Sequence, residues 1–191
     1  MLDNFVLAIQ DWLAELSYNR NKSLLLNIMD PQAEDTLLDV GGGTGRLAEM
    51  FAETCKEVYV LEPERKKLAY AAERRKGIRF MLGSADLIPF PDEYFTKVMA
   101  IVAFHHFSDQ DSALGEMKRV LRPNGLLVLN EFDPTTLRGK LVNFHENKLR
   151  SMNCNYYQPL QLKDKVKQHG YKEISIRPSA VGYFLTAMKP R

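Results

Sequence analysis

The chain of 191 residues has few of the features that mark several common classes of protein. Its two cysteines, Cys55 and Cys154, match neither a disulfide framework nor a zinc or redox motif, so no metal site is expected. Long apolar runs and a basic leader are also lacking, which predicts a cytoplasmic protein without a membrane span. The formal net charge is only +2, and acidic residues alternate with basic ones, so the composition does not indicate a dedicated nucleic-acid binder.

The most informative stretch is the segment 37–45, in which an apolar run ends in a glycine-rich loop. A strand that enters such a loop lets backbone amides approach a ligand closely, and the following helix offers unpaired N–H groups. The loop residues Gly41, Gly43 and Gly45 are therefore candidate cofactor ligands. Asp39 joins them because it stands two residues before the first glycine.

The carboxylate of Asp39 indicates which kind of cofactor the loop accepts. Beside the pyrophosphate of a dinucleotide it would cost on the order of 1 to 4 kcal/mol of Coulomb energy. S-adenosylmethionine carries an ammonium and a sulfonium and no phosphate, so an acid at the loop favours it. The frame Gly43-Thr44-Gly45-Arg46-Leu47-Ala48 nevertheless fits the dinucleotide fingerprint that ends in alanine, which keeps a nicotinamide or flavin as an alternative.

Glu62 supplies a second, independent signal. It ends the apolar strand predicted over 58–61 and precedes Pro63, about where a ribose-binding acid falls in this kind of unit. A carboxylate that accepts both ribose hydroxyls makes two charge-assisted bonds, worth roughly 1.5 to 3 kcal/mol each. The alternative is a solvated acid at the start of the helix predicted over 64–76.

Three further segments follow the glycine loop and Glu62 in order: GSADLIPFPD at 83–92, AFHHF at 103–107 and EMKRVLRPNGLL at 116–127. Together these motifs resemble the class I S-adenosylmethionine-dependent methyltransferase family in its small, minimal form, and the resemblance covers roughly residues 36 to 131. It implies S-adenosylmethionine as the cofactor and S-adenosylhomocysteine as the product. The implied fold is a Rossmann-like three-layer α/β sandwich, whose mostly parallel seven-stranded sheet has an antiparallel last strand.

The alternation of predicted elements independently indicates a parallel sheet with helices on both faces. After the segments above come elements that would complete such a sheet, namely a helix over 109–121, a strand over 126–129, a helix over 160–169 and strands over 172–177 and 181–188. In open sheets of this type the ligand lies outside the carboxyl ends of the strands.

The resemblance also assigns the adenine side of the cofactor site. Where the family usually has an aspartate, this chain has Ser84, and Asp86 follows two positions later. Alignment favours Ser84 with the backbone of Ala85, whereas charge favours Asp86. Ile101, at the end of the fourth strand, is also expected beside the cofactor.

His105 and His106 are the candidate catalytic residues. Methyl transfer from a sulfonium is an in-line displacement, so the protein mainly has to align donor and acceptor. An amine acceptor needs only a free lone pair, whereas an alcohol or phenol needs a base, for which histidine has a suitable pKa. The histidine pair therefore acts as a base or shapes the pocket.

The expected organisation is a single methyltransferase domain over 1–191. Within it we expect an N-terminal helical lid at 1–30, the cofactor-binding core at 36–131 and a substrate-side insertion at 133–159. A closing helix and strand pair at 160–191 completes the domain.

The lid and the insertion hold the candidate acceptor-binding residues Tyr18, His145, Tyr156 and Tyr157. The expected partner is a small-molecule methyl acceptor, and the expected state is a monomer or homodimer. The alternatives are a methyltransferase that acts on RNA or protein, an NAD(P)-dependent oxidoreductase and an inactive cofactor-binding module.

Overall fold

The computed structural model describes residues 21–149, 153–180 and 182–191, so the lid expected over residues 1–20, with Tyr18, lies outside the described residues. The helices are α1 (21–29), α2 (Arg65–Ala72), α3 (Gln110–Val120), α4 (Leu137–Phe144) and α5 (Pro159–Gln168). The strands are β1 (Thr36–Val40), β2 (Glu57–Glu62), β3 (Arg79–Leu82), β4 (Phe95–Ile101), β5 (Leu121–Glu131), β6 (Lys172–Pro178) and β7 (Tyr183–Met188). Within these residues, no helix combines the length and apolar character needed to cross a membrane.

The seven strands form one sheet in the order β3-β2-β1-β4-β5-β7-β6. Strands β1 to β5 pair in parallel, and β7 runs antiparallel to both of its neighbours. The predicted mixed seven-stranded sheet is therefore confirmed. Because β1, β2, β4 and β5 are parallel, their carboxyl ends meet at one edge, where a ligand is expected.

Alternating side chains of β1 show how the sheet separates two apolar layers. Leu37 packs on one face with Met29 of α1, whereas Leu38 packs on the other face with Met117 of α3 and Val166 of α5. This period of two is what a strand buried on both faces requires. The helices thus cover both faces, as the three-layer prediction states.

The ends of two helices test the predicted boundaries. Asp109 caps α3 by accepting from the backbone N–H groups of Asp111 and Ser112, which places the helix close to its predicted span. Helix α2 ends at Ala72, four residues before the predicted end at Lys76. The carbonyl of Ala71 accepts from Arg74 and Arg75 at 2.9 and 2.8 Å, which closes the chain into a turn.

The insertion contains a helix that the sequence analysis treated as an interruption. Thr136 caps α4 by accepting from the N–H of Gly139 at 3.1 Å. One π-helical turn, His145–Leu149, continues α4. Turns of this type often occur at functional sites, and this one leads directly toward the carboxyl edge of the sheet.

Candidate active site

The glycine loop lies against the carboxyl end of β2. The N–H of Gly41 donates to the carbonyl of Leu61 at 2.8 Å, and the N–H of Gly43 donates to Glu62 Oε2 at 3.0 Å. Gly43 has a φ of 60°, and a Cβ added there would meet nothing within 4 Å. The loop therefore has an open side at Gly43, where a ligand can approach the backbone.

Glu62 is buried, with an exposure of 3%, which contradicts the alternative of a solvated helix-starting acid. Its Oε1 accepts from the N–H of Glu64 at 3.2 Å and from Lys67 Nζ at 3.3 Å. Two carboxylate oxygens offer about four acceptor positions, so these bonds orient the group and leave capacity for a hydroxyl donor.

Asp39 is buried beside Glu62. Burial, and then the negative charge of Glu62, raise the pKa of Asp39 to about 7, against a smaller opposing effect of Arg46. A cation placed next to this carboxyl would favour its ionised form. Gly42, to which the sequence analysis gave no role, is required here because its Cβ would lie 2.5 Å from Asp39 Oδ2.

A cavity of about 240 Å³ opens at this edge of the sheet. It is lined by Gly41, Leu61, Pro63, Gly83, Ser84, Ala85, Asp86, His106, Phe107, Ser108 and Asp109. Both candidates for the adenine contact, Ser84 and Asp86, line it, so the geometry brings them together with Gly41 and His106. Phe107 was missed by the sequence analysis, although it directly follows a motif that was recognised.

Two predicted cofactor residues lie behind the lining of the cavity. A Cβ at Gly45 would approach the ring of Phe80 to 2.8 Å, so this glycine permits close packing. Ile101 is buried in the apolar cluster that includes Leu37 on the face covered by α1. Their roles toward a cofactor, like those of the other assigned residues, stay predictions.

The backbone is strained where β4 leaves the sheet. Val102 has a φ of 52°, which is unusual for a β-branched residue, and its N–H donates to the carbonyl of Asn130 at 2.7 Å. Strain of this kind clusters at ligand sites. It turns the chain into a short 3-10 segment, Phe104–His106, that carries both histidines.

Glu131, the last residue of β5, fixes this segment. Its Oε1 accepts from the N–H of Phe104 at 3.0 Å, and its Oε2 lies 2.5 Å from Nδ1 of His105. Burial alone would lower the pKa of His105, but Glu131 and Glu146 outweigh it and raise the pKa to about 9. The buried imidazole is therefore protonated at neutral pH and cannot accept a proton. Of the two histidines, the exposed His106 is left as the candidate base.

The insertion adds three side chains to the histidine pair. Glu146 Oε2 lies 3.5 Å from His105 Nε2, and Cys154 Sγ lies 3.1 Å from His106 Nδ1. Tyr156 stacks on His105 with ring centroids 4.5 Å apart and donates its hydroxyl to Glu146. Glu146 and Cys154 were not predicted, because they belong to a stretch without regular periodicity.

The predicted acceptor residues have different positions. Tyr156 belongs to the histidine site, as described. Tyr157 faces elsewhere, since its hydroxyl donates to Gln110 Oε1 at 2.9 Å and its ring packs against the core. His145 is exposed and lies outside the group of four ligand atoms formed by its neighbour Glu146.

Backbone hydrogen bonds hold the insertion against the histidine segment. The side chain of Asn147 accepts from the N–H of Cys154 at 2.7 Å and donates to its carbonyl at 3.0 Å. The N–H of Asn155 donates to the carbonyl of His105 at 3.0 Å. Gln110 donates to the carbonyls of Phe104 and Asn155 at 3.0 and 3.1 Å. The side chains at this site are thus fixed by their own backbone.

Residues 38–129 match the family model described as "Methyltransferase domain". The chain is 32% identical over 134 residues to the uncharacterized methyltransferase YcgJ of Bacillus subtilis, covering 66% of this chain and 53% of that protein. It is 38% identical over 109 residues to a demethylmenaquinone methyltransferase of Thermus thermophilus, covering 54% of this chain and 50% of that protein. The chain thus spans about half the length of these curated relatives.

A solved structure has the same fold over nearly its whole length. A SAM-dependent methyltransferase from Aquifex aeolicus superimposes with a TM-score of 0.75 at 17% identity, covering 92% of this chain and 93% of that one. The matched segment contains the glycine loop, Glu62 and the histidine pair. By its matched core and its fold, the chain belongs to the class I S-adenosylmethionine-dependent methyltransferases.

Proposed function

We propose that this chain transfers the methyl group of S-adenosylmethionine to a small-molecule acceptor. The observation that carries the proposal is the pair of buried carboxylates, Asp39 and Glu62, on either side of the open glycine loop. Asp39 offers a negative charge to the cationic methionine end, and Glu62 offers acceptors to the ribose. The same pair would repel a pyrophosphate, which disfavours the dinucleotide alternative.

The acceptor has an apolar portion. Leu137, Leu141 and Phe144 recur at helical spacing along α4, with exposures of 76%, 62% and 58%. Exposed apolar side chains grouped in this way mark binding surfaces more often than scattered ones. The stripe ends two residues before Glu146, at the histidine site. Because one relative is named a demethylmenaquinone methyltransferase, a ring with an apolar tail is the first acceptor to test.

The reaction is an in-line displacement. The bond between sulfur and the methyl carbon breaks as the acceptor atom forms its bond to that carbon, and the sulfur departs as a neutral thioether. Holding the two reactants in line can supply up to roughly 7 to 11 kcal/mol. His106, which lines the cavity, lies where the acceptor would meet the methyl group.

Calorimetric titration with S-adenosylmethionine, S-adenosylhomocysteine and NADH tests the cofactor. We expect micromolar binding of both sulfur compounds and none of NADH, and tight NADH binding alone would overturn the proposal. Turnover with radiolabelled S-adenosylmethionine and a demethylmenaquinol analogue then tests the acceptor. Labelling of bulk RNA with strong salt dependence would instead support the RNA alternative.

The base hypothesis has its own test in the His106→Gln variant. If His106 removes a proton from the acceptor, turnover falls by about 100-fold or more while cofactor affinity is unchanged. Activity within a few-fold of the unsubstituted enzyme would assign His106 to shaping of the pocket.

A further inference from the structure

Four side chains at the acceptor side each direct one potential ligand atom toward a common point. The atoms belong to His105, His106, Glu146 and Cys154, here called the His-Glu-Cys cluster, and all lie within 4.8 Å of one another. A tetrahedral ion with bonds of about 2.0 to 2.3 Å holds its ligand atoms roughly 3.3 to 3.8 Å apart. The separations of 3.1 and 3.5 Å between neighbouring members lie near that range. We propose that this cluster binds one Zn²⁺ ion.

The donor set fits zinc better than other common ions. Two imidazole nitrogens, a thiolate and a carboxylate are all regular zinc ligands, whereas magnesium and calcium select oxygen alone. Two carboxylates, Glu131 and Glu146, lie against His105. The site therefore offers negative charge to a cation.

The nitrogen His105 Nε2 gives an independent indication of a ligand. It is buried, and within the part of the chain that the structure describes it has no hydrogen-bond partner. Buried polar atoms without partners are rare, and each calls for an explanation. A metal ion at the centre of the cluster would provide that partner.

The groups behind the cluster hold its ligands as an outer shell does in metal sites. Glu131 contacts Nδ1 of His105, which leaves Nε2 directed at the cluster. Tyr156 donates to the carboxylate of Glu146. Asn147 binds the backbone of Cys154 on both sides, so the sulfur is positioned before any ligand arrives.

Zinc binding and a base at His106 are mutually exclusive. An imidazole that coordinates through Nδ1 carries its proton on Nε2 and has no free lone pair to accept another. In the metal-loaded protein the cluster instead fixes the insertion to the histidine segment beside the cavity. This inference does not depend on the proposed methyl transfer, since metal binding is measured without methyl donor or acceptor.

The test uses untagged full-length protein stripped with a chelator. Equilibrium dialysis against zinc, followed by elemental analysis, should find one ion per chain. Titration with Co²⁺ should produce the thiolate-to-cobalt charge-transfer band together with the intense visible bands of a tetrahedral site. The Cys154→Ser variant should lose the charge-transfer band, whereas Cys55→Ser, a matched change at the other cysteine, should keep it.

Two further variants keep the test decisive. His106→Ala alters an exposed ligand, so it should fold normally by circular dichroism yet lose tetrahedral cobalt binding. Glu131→Gln removes the outer-shell charge and should weaken zinc affinity by about 10- to 100-fold. Folded protein that retains no zinc, or cobalt bands that survive in both Cys154→Ser and His106→Ala, would overturn the proposal.

Discussion

The cofactor side and the acceptor side of the same sheet edge are built in different ways. On the cofactor side, the ends of β1 and β2 place Asp39 and Glu62 next to a loop that lies between them in the chain. On the acceptor side, the ends of β4 and β5 meet an insertion that brings Glu146 and Cys154 to His105. The first is a local backbone arrangement, and the second is a long-range assembly of side chains.

Each side contains a buried carboxylate that accepts a backbone N–H, and the second partner differs. Glu62 also contacts Lys67, whose side chain is 28% exposed, whereas Glu131 contacts an imidazole that is almost completely buried. A partly exposed cation can be rehydrated when its partner is lost, but a buried one cannot. The two glutamates should therefore fail differently when they are removed, one in binding and the other in folding.

The largest effect is expected for Glu131→Ala. This change leaves His105 as a buried cation without its counter-ion and should lower the free energy of unfolding by about 3 to 5 kcal/mol. Urea denaturation followed by circular dichroism measures the loss. Glu131→Gln, which can still accept from Phe104, should lose less. A loss below about 1 kcal/mol for the alanine variant would mean that the pair is hydrated and the contrast with Glu62 does not exist.

The next effect is on the cofactor side, for Glu62→Ala. Loss of two charge-assisted bonds to the ribose, together with loss of the acceptor for Gly43, should weaken binding of S-adenosylmethionine at least about 100-fold. Calorimetry measures the change. Glu64→Ala is the matched control, because Glu64 also pairs with Lys67 but its side chain is 61% exposed. Equal losses in the two variants would place the effect in Lys67 instead of the ribose contact.

The contrast between the two sides also explains what the sequence could predict. Asp39, Glu62 and the glycines were identified because a strand that enters a glycine loop fixes their relative positions within a short stretch. The order of the strands followed from the same alternation. These features depend on local backbone geometry, so one sequence is enough to recognise them.

The acceptor side was predicted only in part. His105 and His106 were found through their motif, but Cys154 was set aside because its spacing to other ligands matched no known motif. The ligands become neighbours only after the π-helical turn and Asn147 fold the insertion back. One signal was readable, since Leu137, Leu141 and Phe144 have helical spacing and follow a capping Thr136.

A smaller effect concerns the pH dependence of the cofactor side. Because burial and Glu62 raise the pKa of Asp39 to about 7, this group is largely neutral in the free protein below that pH. A cationic cofactor favours the ionised form, so affinity should fall toward about tenfold per pH unit on the acid side of 7. Calorimetry across that range measures the slope, and Asp39→Asn should bind weakly without it. A parallel slope in the variant would assign the titration to another group.

The same shift has a consequence for stability. A carboxyl whose pKa is raised on folding contributes stability below its unfolded value of about 4, and that contribution is lost as the pH rises through about 7. The thermal stability of ligand-free Asp39→Asn relative to the unsubstituted protein should therefore increase with pH between these values. A constant difference would show that Asp39 ionises normally in the fold.

The smallest effect is expected on the acceptor side, at Leu141 of α4. If the exposed stripe receives the apolar tail of the acceptor, Leu141→Gln should raise KM for a tailed acceptor about 2- to 10-fold, in keeping with partial burial of one leucine. Steady-state kinetics with tailed and tail-less acceptors measures the difference, and Lys140→Gln, at the neighbouring exposed position, is the control. An equal change for both acceptors would mean that α4 acts through the position of Glu146, whereas a change confined to the tailed one locates the tail on the stripe.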